Sequence, residues 1–215
     1  MTQYILVFLY SFLLGTIPTA YLVMSKFHKV DIRQEGSGNV GAMNTYEVSG
    51  SKYLGLLVFL IDFLKGLAAV YLTSLFYGEN FFLMAISMNS VVAGHCFNPW
   101  LGFKGGRGLA SAAGATALFS PVIILLWGVI WVIGFIFKKN IHFGNIAATV
   151  LTGVLIFSSA DILIKYTFPP APTEFQFSIF FGILMLIIVV KHIDPILDWL
   201  KLSKRSNSEG RHETN

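Results

Sequence analysis

Long apolar stretches, separated by short polar loops, restrict the folds that this sequence can adopt. At about 1.5 Å per helical residue, such stretches are suited to a hydrocarbon core about 30 Å thick. A mean hydropathy of +0.70 with 12% charged residues leaves more apolar surface than a soluble domain of 215 residues can bury. The pattern predicts an all-α, polytopic helical membrane protein whose six clear spans run over Tyr4–Met24, Tyr53–Tyr77, Phe81–Trp100, Pro121–Phe137, Asn145–Tyr166 and Phe177–Val190.

A seventh, short helix is predicted over Leu109–Ser120, which is apolar but only about 18 Å long as a helix. If the chain turns back near Ser120 and Pro121, the basic residues on both sides of this region share one membrane face. With about seven membrane helices, a short fourth one, an outside N-terminus and a cytoplasmic C-terminus, all 15 Lys and Arg residues except Lys65 and Lys165 lie inside. This distribution fits the positive-inside bias.

Domain organisation and charge exclude several other classes of protein. Residues 1–202 are expected to form a single helical transmembrane domain, followed by a disordered cytoplasmic tail over residues 203–215. The net charge of +4 is explained by membrane topology, so no nucleic-acid partner is expected. Cys96 is the sole cysteine, and no Cys/His set has zinc spacing, so neither an internal disulfide nor a metal site is predicted.

The first polar loop combines closely spaced glycines with small polar side chains. They are Gly36, Gly38 and Gly41 with Ser37, Asn39 and Asn44. Glycine allows backbone N–H groups to approach an anion, and hydroxyl and amide groups add hydrogen bonds, so the loop is a candidate phosphate cradle. It matches neither a Walker A loop nor a dinucleotide-binding fingerprint. Taken alone, the loop is equally consistent with a flexible connector.

A second Gly-rich loop places two cations just before the short helix. Its members are Lys104, Gly105, Gly106, Arg107 and Gly108. A helix N-terminus beside basic side chains favours an anion, although the same charges are also explained by topology alone. His95, at the end of the preceding span, is either a general base, a phosphate ligand or a structural residue.

Three further ionisable residues lie within or beside spans. Asp62 and Lys65 are three residues apart on one helix face, and charged groups inside a membrane usually face the bundle interior. They form either an ion pair that supports the site or a packing pair. His192 is at the inner end of the last span, on the same membrane face as both loops.

Together these motifs resemble the bacterial acyl-phosphate-dependent glycerol-3-phosphate acyltransferases, a family of integral membrane enzymes. The family's Gly-Ser-Gly-Asn-x-Gly-Ala-Thr-Asn motif is similar to Gly36–Asn44, and its Asp-x-x-Lys-Gly pattern is similar to Asp62–Gly66. Its Gly-His-x-Phe and Phe-Lys-Gly-Gly-Lys-Gly patterns resemble Gly94–Phe97 and Phe103–Gly108. The resemblance extends over most of the chain.

The resemblance implies transfer of an acyl group from acyl phosphate to the hydroxyl of glycerol 3-phosphate, giving lysophosphatidate for phospholipid synthesis. It implies no cofactor, membrane lipids as surroundings, other phospholipid-synthesis enzymes as candidate partners, and a bacterial inner membrane location with the site facing the cytoplasm. Asp62 and Lys65 would support that site. The implied catalytic residues are Ser37, Asn39, Asn44, His95 and Lys104, and the implied phosphate-binding residues are Gly36, Gly38, Gly41, Gly105, Gly106, Arg107, Gly108 and His192.

Several positions depart from the family pattern. Met43 replaces a Thr and Glu47 replaces an Arg, while Pro195 and Asp198 stand at the Asn and Arg positions of the closing motif. A Ser-rich motif at the start of the span Asn145–Tyr166 is replaced by residues 142–145. Two alternatives therefore stay open, a divergent acyltransferase with a different acceptor and a phosphate- or lipid-binding membrane protein with little catalysis.

Overall fold

A computed structural model describes the backbone of residues 1–212 and the side chains of residues 1–197. Within residues 1–212 the chain is helical and contains no strand, which confirms the predicted all-α class. The α-helices, in chain order, are α1 (Thr2–Gly15), α2 (Thr19–Phe27), α3 (Ala42–Ser49), α4 (Lys52–Tyr77), α5 (Phe81–Cys96), α6 (Leu109–Phe119), α7 (Pro121–Lys138), α8 (Ile141–Ser158), α9 (Ala160–Leu163) and α10 (Glu174–His212).

Six helical segments of the described chain are long and apolar enough to cross a membrane, as predicted. The first combines α1 and α2, which are separated by a break ending at Pro18. The bounds predicted for the span Asn145–Tyr166 were wrong, because α8 begins at Ile141 and ends at Ser158. Its early start has a local cause, since the Asn140 side chain accepts a hydrogen bond of 2.9 Å from the Phe143 N–H and so caps the helix.

The short helix α6 and the following α7 are separate helices with one residue, Ser120, between them. Arg107, just before α6, contacts His142, just after α7, with 3.3 Å between Nη1 and Nδ1. The start of α6 and the end of α7 therefore lie at the same end of the bundle, as the predicted turn requires. At the opposite end, the Phe168 N–H donates to the Phe119 carbonyl at 2.8 Å.

Helices α4 and α6 pack closely against each other at two glycines, Gly66 and Gly114. A Cβ atom built on Gly114 would lie 1.8 Å from the Phe63 carbonyl oxygen, and one on Gly66 would lie 2.0 Å from that of Ser111. The two backbones can approach this closely only because both positions lack a side chain. The large buried cluster beside them extends through α5 to α10 and includes Phe119, Phe177 and Phe181.

The predicted disordered tail over residues 203–215 falls on residues whose side chains lie outside the described ones, and it stays a prediction. Helix α10 has an apolar part over Glu174–Leu197.

Candidate active site

Asn44, in the first turn of α3, organises the first Gly-rich loop. Its side chain is buried, its Nδ2 donates to the carbonyls of Ile32, Glu35 and Asn39 at 3.0–3.3 Å, and its Oδ1 accepts from the Ser37 N–H at 2.9 Å. Nδ2 and Oδ1 are therefore both engaged within the loop, so Asn44 holds the loop in shape.

The backbone conformation of the loop at position 36 favours glycine. Gly36 has a φ of +57°, which is in the left-handed region that glycine tolerates. A Cβ on Gly36 would also lie 2.3 Å from the Asn44 Oδ1 atom. The order of this loop shows that it is a shaped element rather than a loose connector.

The second Gly-rich loop packs directly onto the end of α5. The N–H groups of Gly105 and Gly106 donate to the carbonyls of Cys96 and His95, at 3.2 and 3.1 Å. A Cβ on Gly106 would be 2.1 Å from the His95 Nε2 atom, so this glycine lies against the imidazole. Because both amides are already bonded, close packing is the role that the geometry gives these two glycines.

Asp62 and Lys65 form a buried ion pair of 2.8 Å on α4. Asp62 Oδ1 also accepts a hydrogen bond of 2.9 Å from the Thr19 hydroxyl, and Lys65 donates to the Ile17 carbonyl at 3.0 Å. His95 Nδ1 is 3.7 Å from Asp62 Oδ1, which is too long for a hydrogen bond but close enough for electrostatic coupling. These bonds connect the break between α1 and α2 to the middle of α4.

A cavity of about 530 Å³ opens beside these groups. Its polar end contains Asn39, Glu47, Asp62, His95, Arg107, His142 and Asn145. The rest of its lining is mostly apolar and comes from α4, α6, α7 and α10, including Phe59, Ile123, Trp127, Leu184 and Ile188. The cavity can therefore hold an amphiphilic molecule with its charged part at one end.

Two helices begin at this cavity. The first residues of α3, with Gly41, and those of α6, with Gly108, contribute to its lining. Neither helix has a side-chain cap in the described part of the chain, so their first N–H groups are unpaired. Gly108 precedes α6 with a φ of +84°, a conformation that suits glycine. Two helix N-termini with their positive dipole ends thus point at one space, which favours anions.

Arg107 adds a full positive charge to the polar end. Its guanidinium group donates to His142 Nδ1, which requires His142 to be neutral with its proton on Nε2. Burial lowers the pKa of Arg107, and the nearby Glu47 carboxylate acts in the opposite direction. Arg107 and Glu47 are opposite charges on the same cavity lining, without a direct ion pair between them among the described side chains.

His192 is buried in a second polar network behind the cavity. His192 Nδ1 donates to the Ile188 carbonyl at 2.8 Å, which leaves Nε2 to accept from Asn145 Nδ2 at 3.4 Å. Asn145 Oδ1 in turn accepts from the Trp131 indole N–H at 2.7 Å. His192 is not among the residues that line the cavity, so its predicted role in phosphate binding stays a prediction.

The structure therefore gathers only part of the predicted site at the cavity. Asn39, Gly41, His95, Arg107 and Gly108 line it, with Asp62, one of the two predicted supporting residues. Ser37 and Lys104 are exposed on the same end of the molecule and do not line the cavity. Gly36, Gly38, Asn44, Lys65, Gly105 and Gly106 shape or support the surrounding loops. The catalytic and phosphate-binding roles of all these residues stay predictions.

Sequence reasoning missed the apolar part of the cavity. Trp127, Gly128 and Trp131 lie in the strongly apolar α7, where no pattern separates a lipid-facing residue from one that lines a cavity. In the sequence, His142 and Asn145 are recognisable only as a departure from the family's motif. Among the described side chains, no group of three or more His, Cys, Asp or Glu residues is placed to hold a metal ion.

Comparisons with known proteins agree with this arrangement. The family model described as glycerol-3-phosphate acyltransferase matches residues 5–201. A glycerol-3-phosphate acyltransferase of Wolbachia sp. subsp. Brugia malayi is 32% identical over 210 residues, which cover 97% of this chain and 100% of the relative. The chain belongs to the glycerol-3-phosphate acyltransferase family.

Solved structures of PlsY (YgiH), an integral membrane glycerol 3-phosphate acyltransferase, share the fold of this family member. The glycerol 3-phosphate form has a TM-score of 0.74 and 30% identity, and the lysophosphatidic acid form has 0.71 and 29%. Each comparison covers 92% of both chains. Like PlsY, this glycerol-3-phosphate acyltransferase family member is an integral, multi-pass membrane protein.

Proposed function

We propose that this protein transfers an acyl group from acyl phosphate to a hydroxyl of glycerol 3-phosphate, producing lysophosphatidate. The observation that carries the proposal is a single cavity onto which two uncapped helix N-termini open, with Arg107 at its polar end and an apolar extension behind it. Both substrates carry a phosphate and the donor also carries an acyl chain, so the cavity matches the pair. Family membership supports the same reaction.

The two helix N-termini provide two separate positions for phosphate groups. The start of α6, with Arg107, adds a full charge to unpaired amides and so suits the phosphate that departs from the acyl group. The start of α3 has Asn39 beside it and suits the acceptor's phosphate. The acyl chain then extends along the apolar lining between α7 and α10.

The reaction needs no covalent intermediate on the protein, because acyl phosphate is already an activated mixed anhydride. The acceptor hydroxyl oxygen forms a bond to the acyl carbon, and the bond from that carbon to the phosphate oxygen breaks. The hydroxyl proton passes to His95 or to a substrate phosphate oxygen. Positioning of the hydroxyl and stabilisation of the oxyanion by helix amides supply the main rate enhancement.

The proposal is tested by turnover of purified protein with acyl phosphate and glycerol 3-phosphate, with lysophosphatidate as the measured product. We expect turnover in the wild type and a loss of about tenfold or more in Arg107→Ala and Asn39→Ala, because each removes the polar side chain beside one of the two proposed phosphate positions. Absence of lysophosphatidate from folded wild-type protein contradicts the proposal. Wild-type rates in both variants contradict the roles of Arg107 and Asn39.

A different acceptor is a second candidate, and one observation favours it. The carboxylate of Glu47 lines the cavity near Arg107, where it repels an anionic acceptor. A panel of hydroxyl acceptors, including neutral and cationic ones, with labelled acyl phosphate separates the two candidates. The glycerol 3-phosphate assignment requires that this acceptor gives the highest kcat/KM of the panel.

We also infer that the chain has seven membrane helices, with the short α6 as the fourth, the N-terminus outside and the C-terminus inside. The positive-inside bias supports this orientation, because it places all 15 Lys and Arg residues except Lys65 and Lys165 on the inside. The site then faces the cytoplasm of a bacterial inner membrane, where both water-soluble substrates and membrane lipid are accessible. Other enzymes of phospholipid synthesis are the candidate partners.

A further inference from the structure

The part of α7 that lines the cavity contains one residue without a side chain. The lining positions of this helix are Ile123, Ile124, Trp127, Gly128 and Trp131. Residues three and four apart are neighbours on a helix, so these positions share one face. The opposite face of α7 carries exposed apolar residues such as Val129, which is 60% exposed. Gly128 is therefore a missing side chain within an otherwise bulky lining.

Neither packing nor helix stability accounts for Gly128. A Cβ atom built on it meets no heavy atom within 4 Å, whereas the other glycines within helices up to residue 197 have a neighbour within that distance. Glycine is also less favourable than alanine inside a helix. What Gly128 does provide is free width in the cavity.

The neighbouring indoles are fixed and cannot make room for a larger residue at position 128. Trp127 donates to the Thr149 hydroxyl at 3.0 Å, and Trp131 donates to Asn145 Oδ1 at 2.7 Å. Trp131 also stacks on Phe135, with 5.3 Å between ring centroids and 4° between ring planes. A side chain added at position 128 would therefore occupy cavity volume.

We propose that Gly128 determines the length of acyl chain that the enzyme accepts. This inference rests on the proposed function. Trp131 lies at the polar end of the cavity, where it is bonded to Asn145. Measured along α7 from Trp131 toward the apolar end, Gly128 is about 4.5 Å away and Ile123 about 12 Å away. A larger residue at position 128 blocks the path of the acyl chain about one helical turn beyond Trp131. It leaves the proposed phosphate positions unchanged. Long acyl chains are then rejected and short ones still fit.

The test compares wild type, Gly128→Ala and Gly128→Leu with straight-chain acyl phosphates of increasing length. In Gly128→Leu we expect the ratio of kcat/KM for long chains to that for short chains to fall by about tenfold or more, mainly through KM, because the added volume excludes the distal methylenes. Gly128→Ala gives a smaller change in the same direction. Val129→Leu adds volume on the exposed face of the same helix and serves as the matched control, with an unchanged ratio.

Binding of acyl phosphonates, which resemble the donor but cannot transfer the acyl group, separates this inference from the reaction itself. If the wild type binds long-chain phosphonates more tightly than short-chain ones and Gly128→Leu does not, the role of Gly128 is supported. This holds even if no lysophosphatidate forms and the proposed function fails. A folded Gly128→Leu protein with the wild-type chain-length preference in turnover and binding overturns the inference. Equal losses for all chain lengths overturn it too.

Discussion

At the scale of single residues, Glu47 adds a negative charge to the polar end of the cavity. It lies in the last turn of α3 and lines the cavity with Arg107 and His142, and its charge acts on both. A carboxylate here opposes the field of the two helix N-termini. Under the proposed function, this charge should weaken the binding of an anionic substrate.

Glu47→Gln is therefore expected to lower KM for glycerol 3-phosphate by about two- to fivefold, since interactions of exposed charges are worth up to about 1 kcal/mol. The effect shrinks at high ionic strength, where charges are screened. Steady-state kinetics at two salt concentrations measure it. Glu35→Gln removes an exposed carboxylate from the same loop region outside the cavity and is the matched control. A raised KM in Glu47→Gln contradicts the prediction.

The buried ion pair of Asp62 and Lys65 is expected to contribute to the free energy of unfolding. Asp62→Asn leaves the Lys65 ammonium group buried without its counter-charge, which costs about 3–5 kcal/mol of unfolding free energy. Denaturation in mild detergent or bicelles measures this loss. Asp62→Asn combined with Lys65→Met removes both charges and should recover part of the loss. Equal stability of Asp62→Asn and wild type would show that the pair is not buried.

Residue roles were only partly predictable from the sequence. Glycine spacing and the Lys/Arg charges indicate an anion site, and Arg107 and Gly108 do line the cavity. Asn44 bonds to four backbone groups of the loop. This structural role depends on how the loop folds around the Asn44 side chain, which the spacing of residues in the sequence does not show. Gly128 and Trp131 gain their roles only when α7 is placed beside the cavity.

At the scale of helices, the α4–α6 contact depends on two missing side chains. Gly114→Ala would place a methyl group 1.8 Å from the Phe63 carbonyl oxygen, and this obstacle is backbone that cannot rotate away. We expect a destabilisation of about 1–3 kcal/mol or more, together with lower activity, because α6 carries the N-terminus that lines the site. Gly128→Ala is the matched control for stability, since its methyl group meets open space. Thermal unfolding midpoints of the two variants should differ clearly.

The helices themselves were largely predictable, because long apolar runs must become helices in lipid. Where the prediction failed, local polar contacts decided the outcome. The Asn140 cap moves the start of α8 toward the N-terminus. The helix α3 gave no apolar signal because it is only eight residues long and half of them are polar. Helix α3 matters nonetheless, since its N-terminus is one of the two that open to the cavity.

At the scale of the whole molecule, the two ends of the bundle differ in chemistry. One end gathers both Gly-rich loops, the loop after α7 and the charged part of the cavity. The other end contains the turn at Ser120, which bonds to Thr167 at 2.9 Å, and the connection between α4 and α5 near Glu79. A water-soluble phosphate ester can reach the site only from the first end, so function and orientation are coupled.

That orientation predicts which loops are accessible from outside the cell. In intact cells with a permeabilised outer membrane, an impermeant maleimide should label Glu79→Cys and leave Glu35→Cys unlabelled until the inner membrane is opened. Cys96 is fully buried and gives a low background in the wild type. Labelling of Glu35→Cys but not Glu79→Cys in intact cells would reverse the orientation and expose the phosphate positions to the outside. The reaction would then lose access to substrates made in the cytoplasm, so the proposed function requires the first pattern.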